Sequence, residues 1–132
     1  MYQYKIKEII KVVDGDTIDV TIDLGFNVTV KQRVRLDGID TPEHINSNLE
    51  EKKLALESKE YLENWLKNQK DLIINTTKDD KYGRILAKIS THDNSSCINE
   101  EMIKLGYAWS YDGGTKKKDL QELIDKRQIK QS

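Results

Sequence analysis

The chain has 132 residues, 36% hydrophobic and 34% charged, with one proline and one cysteine. That length allows a single domain over residues 1–132 with a real core, the apolar runs are too short to span a bilayer, and one thiol, Cys97, excludes an internal disulfide. A net charge of -1, from 22 basic against 23 acidic residues, is a poor fit to holding a polyanion by bulk electrostatics, so any nucleic-acid contact must rest on local charge.

The first residues, Met1 to Lys7, lack the apolar core of a signal peptide. A cytoplasmic setting is the default expectation, with secretion left open should a leader have been removed. Tyr4 to Val13 reads as a first strand, broken by Asp14-Gly15-Asp16. Ile18, Val20, Ile22 and Leu24 alternate with Asp19, Thr21 and Asp23, the period-two signature of a half-buried strand. Leu24-Gly25-Phe26-Asn27 supplies turn chemistry, and Val28, Val30, Val34 and Leu36 resume the alternation. Three strands joined by short turns predict an antiparallel meander.

The period then changes. From Leu49 to Asn68, Leu54, Ala55, Tyr61, Leu62, Trp65 and Leu66 form a helical stripe. Leu72 to Thr76 and Arg84 to Ile89 read as two more strands. Ile98, Met102 and Leu105 mark a short helix stopped at Gly106, a position suited to left-handed backbone. Lys116 to Arg127 is expected as a last helix, its six basic and three acidic residues through Ser132 read as a solvated face. Cys97 reads as an inert thiol at a helix start, and Tyr61, Trp65 and Trp109 as packing residues. Together these elements predict a mainly β member of the α+β class, a five-stranded OB-type barrel with about three helices. Such barrels often bind oligonucleotides, although fold alone does not define function.

Asp14-Gly15-Asp16-Thr17 taken alone is a turn, as is Asp40-Thr41-Pro42-Glu43. In the meander, however, Asp16 opens the second strand and Asp40 follows its antiparallel neighbour, so both carboxylates meet at one barrel end. Two such groups suit a hard cation, calcium or magnesium, and two histidines with one thiol make a poor zinc site. Arg35 lies on the third strand and Arg84 opens a later one; guanidinium forks suit phosphate oxygens. With Glu43 added, the set has the parts for phosphodiester hydrolysis. The plainer readings pair Arg35 with Asp37, and Arg84 with Asp79 or Asp80.

Val13-Asp14-Gly15-Asp16-Thr17, Arg35-Leu36 through Ile39-Asp40-Thr41-Pro42-Glu43, and Asp80-Lys81-Tyr82-Gly83-Arg84 resemble the staphylococcal nuclease (thermonuclease) family. Ile98-Asn99-Glu100 and Leu105-Gly106-Tyr107-Ala108-Trp109 resemble its penultimate helix and exit, so the likeness covers roughly residues 5 to 111. By position, the resemblance implies that Asp16, Asp40 and the Thr41 backbone carbonyl hold Ca2+ and that Glu43 acts on the attacking water. Arg35 and Arg84 then contact phosphate, Lys81 and Tyr82 lie near a terminal phosphate, and Tyr111 lies near base and phosphate. It also implies a monomer that takes single- or double-stranded DNA or RNA and leaves 3′-phosphate ends. Asp37-Gly38 stands where the family pattern is apolar, and Asp112-Gly113-Gly114 where a second aromatic is expected. The rival readings are an inactive nucleic-acid-binding barrel, a magnesium-dependent hydrolase and a purely structural barrel.

Overall fold

The computed structural model describes residues 2–44, 48–79, 83–112 and 119–131. Strands β1 (Tyr2–Asp14), β2 (Thr17–Asp23) and β3 (Thr29–Leu36) form the expected antiparallel meander. Ile18, Val20, Ile22, Val34 and Leu36 are at most 2% exposed, so the alternating apolar face is the barrel interior. Leu24 departs from that alternation and is 40% exposed. Gly25, Phe26 and Asn27 all take positive φ, which carries the chain out of the strand before Leu24 can turn inward. Phe26 stands fully exposed at the hairpin tip.

After β4 (Ile39–Asp40), helix α1 (Leu49–Asn68) crosses to β5 (Ile73–Asp79), which pairs antiparallel with β6 (Ile85–Ser90). β6 lies parallel to β3, and β5 returns to β1, closing a barrel of order β1-β2-β3-β6-β5. With α2 (Ile98–Lys104), β7 (Trp109–Ser110) and α3 (Leu120–Gln131), the chain is an α+β OB-type barrel carrying three helices. Among the described residues no helix is long and apolar enough to cross a membrane.

Helix α1 starts where Asn48 accepts a hydrogen bond from the Glu51 backbone N–H at 2.8 Å, and Glu50 and Glu51 favour the positive end of the helix. Leu54, Ala55, Ser58, Leu62 and Leu66 form its buried stripe. Tyr61 is half-buried and stacks on Tyr107 at 4.4 Å between centroids, while Trp109 is 4% exposed and donates through Nε1 to the Asp119 carbonyl. Cys97 is half-buried at the start of α2.

The basic tail is more than a solvated face. Arg127 is 8% exposed and donates to the Gly106 carbonyl, the Leu54 carbonyl, the Ser58 hydroxyl and the Glu57 carboxylate. Gly106 has φ +85°, and a Cβ there would sit 2.7 Å from Lys126 Cβ, so only glycine lets α3 pack this closely. Arg127→Met is expected to destabilise the protein by about 2–3 kcal/mol, because it removes the donor shared by the Gly106 and Leu54 carbonyls. A lower urea midpoint at unchanged slope would register that loss; an unchanged midpoint would show that the network adds nothing net.

Candidate active site

The pairing of β2 with β3 builds one end of the barrel. Thr17 faces Arg35 in register, and the Leu36 N–H donates to the Asp16 carbonyl at 2.8 Å, so Asp16 lies against the end of β3. Gly15 lets this turn approach α1: a Cβ there would lie 3.1 Å from Ser58 Cβ and from Thr41. Just after β3, buried Asn99 donates to the carbonyls of Asp37 (2.8 Å) and Ala87 (3.1 Å) and accepts from the Ile89 N–H (3.1 Å). That one side chain fastens the turn leading to Asp40 onto β6. The segment Ile98-Asn99-Glu100 is recognisable in sequence, but its service to the Asp37 turn depends on contacts 62 and 12 residues away.

Asp16, Arg35, Asp40, Thr41, Glu43 and Arg84 all line a single cleft of about 560 Å³. Arg35 spans the two aspartates, with Nη1 3.4 Å from Asp16 and Nη2 3.5 Å from Asp40, and Nη1 also donates to the Leu36 carbonyl at 3.0 Å. These two acids, rather than Asp37, are its ion-pair partners. Thr41 donates to Asp16 Oδ2 through its hydroxyl (3.0 Å) and its N–H (3.3 Å), and the Thr17 hydroxyl donates to Oδ1. Glu43 is exposed on the loop after Pro42, and its N–H donates to the Glu51 carboxylate at 3.1 Å, which ties the loop to the first turn of α1. Tyr111 is anchored elsewhere, its N–H on the Gly38 carbonyl, and is not among the described residues that line the cleft. Lys81 and Tyr82, like Asp80, lie outside the described residues.

Three cleft residues were not singled out by sequence: Asp14, His44 and Lys59. Asp14 accepts from the Asp16 N–H at 3.1 Å. Burial, then the hydrogen bond and charge of Asp16, push its carboxyl up to about 7. Burial acts on Asp16 in the same upward sense, but the Asp14 hydrogen bond, the Arg35 charge and the threonine hydroxyls outweigh it and hold Asp16 below the usual range. Asp14 therefore keeps its proton on folding between its unfolded value of 3.8 and about 7. The stability this contributes is complete below pH 3.8 and is lost as pH rises through about 7. In chelator, Asp14→Asn is expected to flatten the fall in thermal midpoint between about pH 4 and 7, the window between the unfolded and folded values of this carboxyl. A fall identical to that of the parent chain would rule Asp14 out as its source.

The donors offered by Asp16, Asp40 and the Thr41 carbonyl are all hard oxygens, which fits calcium or magnesium. Among the described residues no three acidic, histidine or cysteine side chains group closely enough to hold a metal ion on their own.

The fold and cleft together define an OB-type barrel with acids and guanidiniums gathered at one end. The chain belongs to the staphylococcal nuclease family: residues 33–131 match the family described as Staphylococcal nuclease homologue. It is 34% identical over 133 residues to an uncharacterized protein of Methanocaldococcus jannaschii, covering 85% of this chain and 62% of that protein. It is 33% identical over 102 residues to the thermonuclease of Staphylococcus hyicus, covering 76% and 56% respectively. A probable endonuclease of Schizosaccharomyces pombe is 36% identical over 85 residues, covering 61% and 36%. The chain thus spans less than two thirds of the length of each of these relatives.

Proposed function

We propose that this chain is a calcium-dependent nuclease that hydrolyses phosphodiester bonds in DNA or RNA and leaves 3′-phosphate ends. The observation that carries this reading is the single cleft shared by two buried carboxylates, two guanidiniums and an exposed glutamate. The names of the thermonuclease and endonuclease relatives agree with it.

Asp16, Asp40 and the Thr41 carbonyl would hold the cation, which when bound would supply Lewis-acid polarisation of a phosphoryl oxygen. Glu43 takes a proton from water at the mouth of the cleft. That water oxygen bonds to phosphorus as the bond to the 5′ oxygen breaks, and the leaving oxygen is protonated from solvent. Arg35 and Arg84 donate to the oxygens on which charge grows, and the fixed bridge from Arg35 to both aspartates keeps its fork in place beforehand. Lys81, Tyr82 and Tyr111 are assigned the nucleotide flanking the scissile bond. One chain suffices for this site, consistent with a monomer.

Asp40→Ala removes one of two acidic donors and is expected to weaken calcium binding at least tenfold in calorimetry, on the order of the loss of one ligand's support. Unchanged affinity would remove Asp40 from the ligand set. For the reaction itself, end-group analysis of a cut strand is decisive: 3′-phosphate and 5′-hydroxyl ends fit this chemistry, and 3′-hydroxyl ends contradict it.

A further inference from the structure

The cleft holds two groups that the proposed hydrolysis leaves unused. Lys59 projects from α1 one residue beyond Ser58, whose side chain abuts the Asp14-Gly15-Asp16 turn, and it lines the cleft half-buried. No ion pair or hydrogen bond engages it among the described residues. Three arginines are committed by contrast, Arg35 to Asp16 and Asp40, Arg33 to Asp19 and Arg127 to Glu57, and what sets Lys59 apart from the surface lysines is its half-buried place in the cleft. His44 follows Glu43 and lines the same cleft, and its Nε2 is buried without a hydrogen-bond partner among the described residues. A buried ring nitrogen left unpaired is unfavourable, and a small turn of the His44 ring, which lines the cleft, would offer it to a ligand oxygen there.

The geometry points to a second phosphate subsite on the α1 side of the cleft, in which Lys59 and His44 contact the phosphodiester next to the scissile one. A flexible ammonium supplies a point charge for a phosphate oxygen, and imidazole supplies a directional hydrogen bond. Arg35 and Arg84 attend the bond being cut, so the additional pair makes the preferred substrate a strand with at least two phosphodiesters. This inference rests on the nuclease reading for its substrate class but not for its contacts. A local cation of this kind also answers how a chain of net charge -1 grips a polyanion.

The test uses the Glu43→Gln protein in calcium, so that strands are bound with slow cleavage, and fluorescein-labelled DNA of two or six nucleotides read by anisotropy. Adding Lys59→Gln is expected to weaken the six-nucleotide strand about tenfold and to leave the dinucleotide, with its one phosphodiester, unchanged. The slope of log affinity against log salt becomes shallower by about 0.7, the loss of one single-strand phosphate contact. Lys59→Arg keeps both properties, and His44→Phe costs about threefold on the longer strand alone. Unchanged affinity and slope for the six-nucleotide strand would overturn the subsite, as would an equal loss on both lengths. The two readings separate cleanly. Length-dependent loss from a protein whose parent chain cuts no strand keeps the subsite and removes the hydrolysis; cutting with no Lys59 effect does the reverse.

Discussion

Glu43→Gln is expected to lower turnover on single-stranded DNA by about 10³-fold, within the range that a positioned general base contributes. Glutamine keeps the size and hydrogen-bonding reach of the side chain but accepts no proton. The backbone contact from the Glu43 N–H to Glu51 is independent of the side chain, so the loop and the fold should persist. Exposure of Glu43 also means that the substitution leaves no buried orphan. Single-turnover rates in saturating calcium, with circular dichroism as the check on folding, measure the effect. Parent-like turnover would take Glu43 out of the mechanism, and a chain that loses its fold would assign the residue a structural duty instead.

Arg35→Lys should lose about 10²-fold to 10³-fold in turnover, the scale of removing one preorganised donor from a developing oxyanion. The argument is geometric. One guanidinium reaches Asp16 at 3.4 Å, Asp40 at 3.5 Å and the Leu36 carbonyl at 3.0 Å, and still presents N–H groups to the cleft. An ammonium has no planar fork with which to span both acids. Arg35→Gln goes further and leaves two buried carboxylates without their shared cation, which destabilises by roughly 3 kcal/mol or more. Because calcium would then offset the same repulsion, its addition should raise the thermal midpoint of Arg35→Gln more than that of the parent chain. An Arg35→Lys protein of full activity would show that the bridge serves packing alone.

These effects could be anticipated because the decisive signals are local in sequence. Ile18, Val20 and Ile22 announce β2 by alternation, and the chain length between Asp16 and Asp40 fits two strands and a hairpin. Once β2 and β3 pair with Thr17 opposite Arg35, the two carboxylates have little choice but to converge. The barrel's closure was less legible. The parallel contact of β3 with β6 and the return of β5 to β1 join distant segments, and no local pattern records which edge meets which. The order of elements predicts a five-stranded barrel without naming those edges.

Side chains whose meaning lies in distant partners were the least legible. Arg127 is one of six basic residues in its tail, and it lies over the Tyr107 ring at 4.7 Å and reaches back to Gly106 and α1. Composition treats the six alike, and the buried role of Arg127 comes from the packing of α3 on Gly106. Asp14 reads as an ordinary turn residue until burial and Asp16 raise its carboxyl to about 7. Lys59 and His44 carry no motif, and their interest comes from sharing a cleft with Glu43. Tyr111 is held through its backbone, its N–H donating to the Gly38 carbonyl, which leaves its ring to the assignment proposed above.

The most direct measurement is cleavage of an end-labelled single-stranded DNA in calcium, in magnesium alone and in calcium with excess chelator. The account predicts cutting in calcium, abolished by the chelator and restored by added calcium. A folded protein that binds the strand and cuts it in none of these conditions would contradict it and make the barrel a binding module.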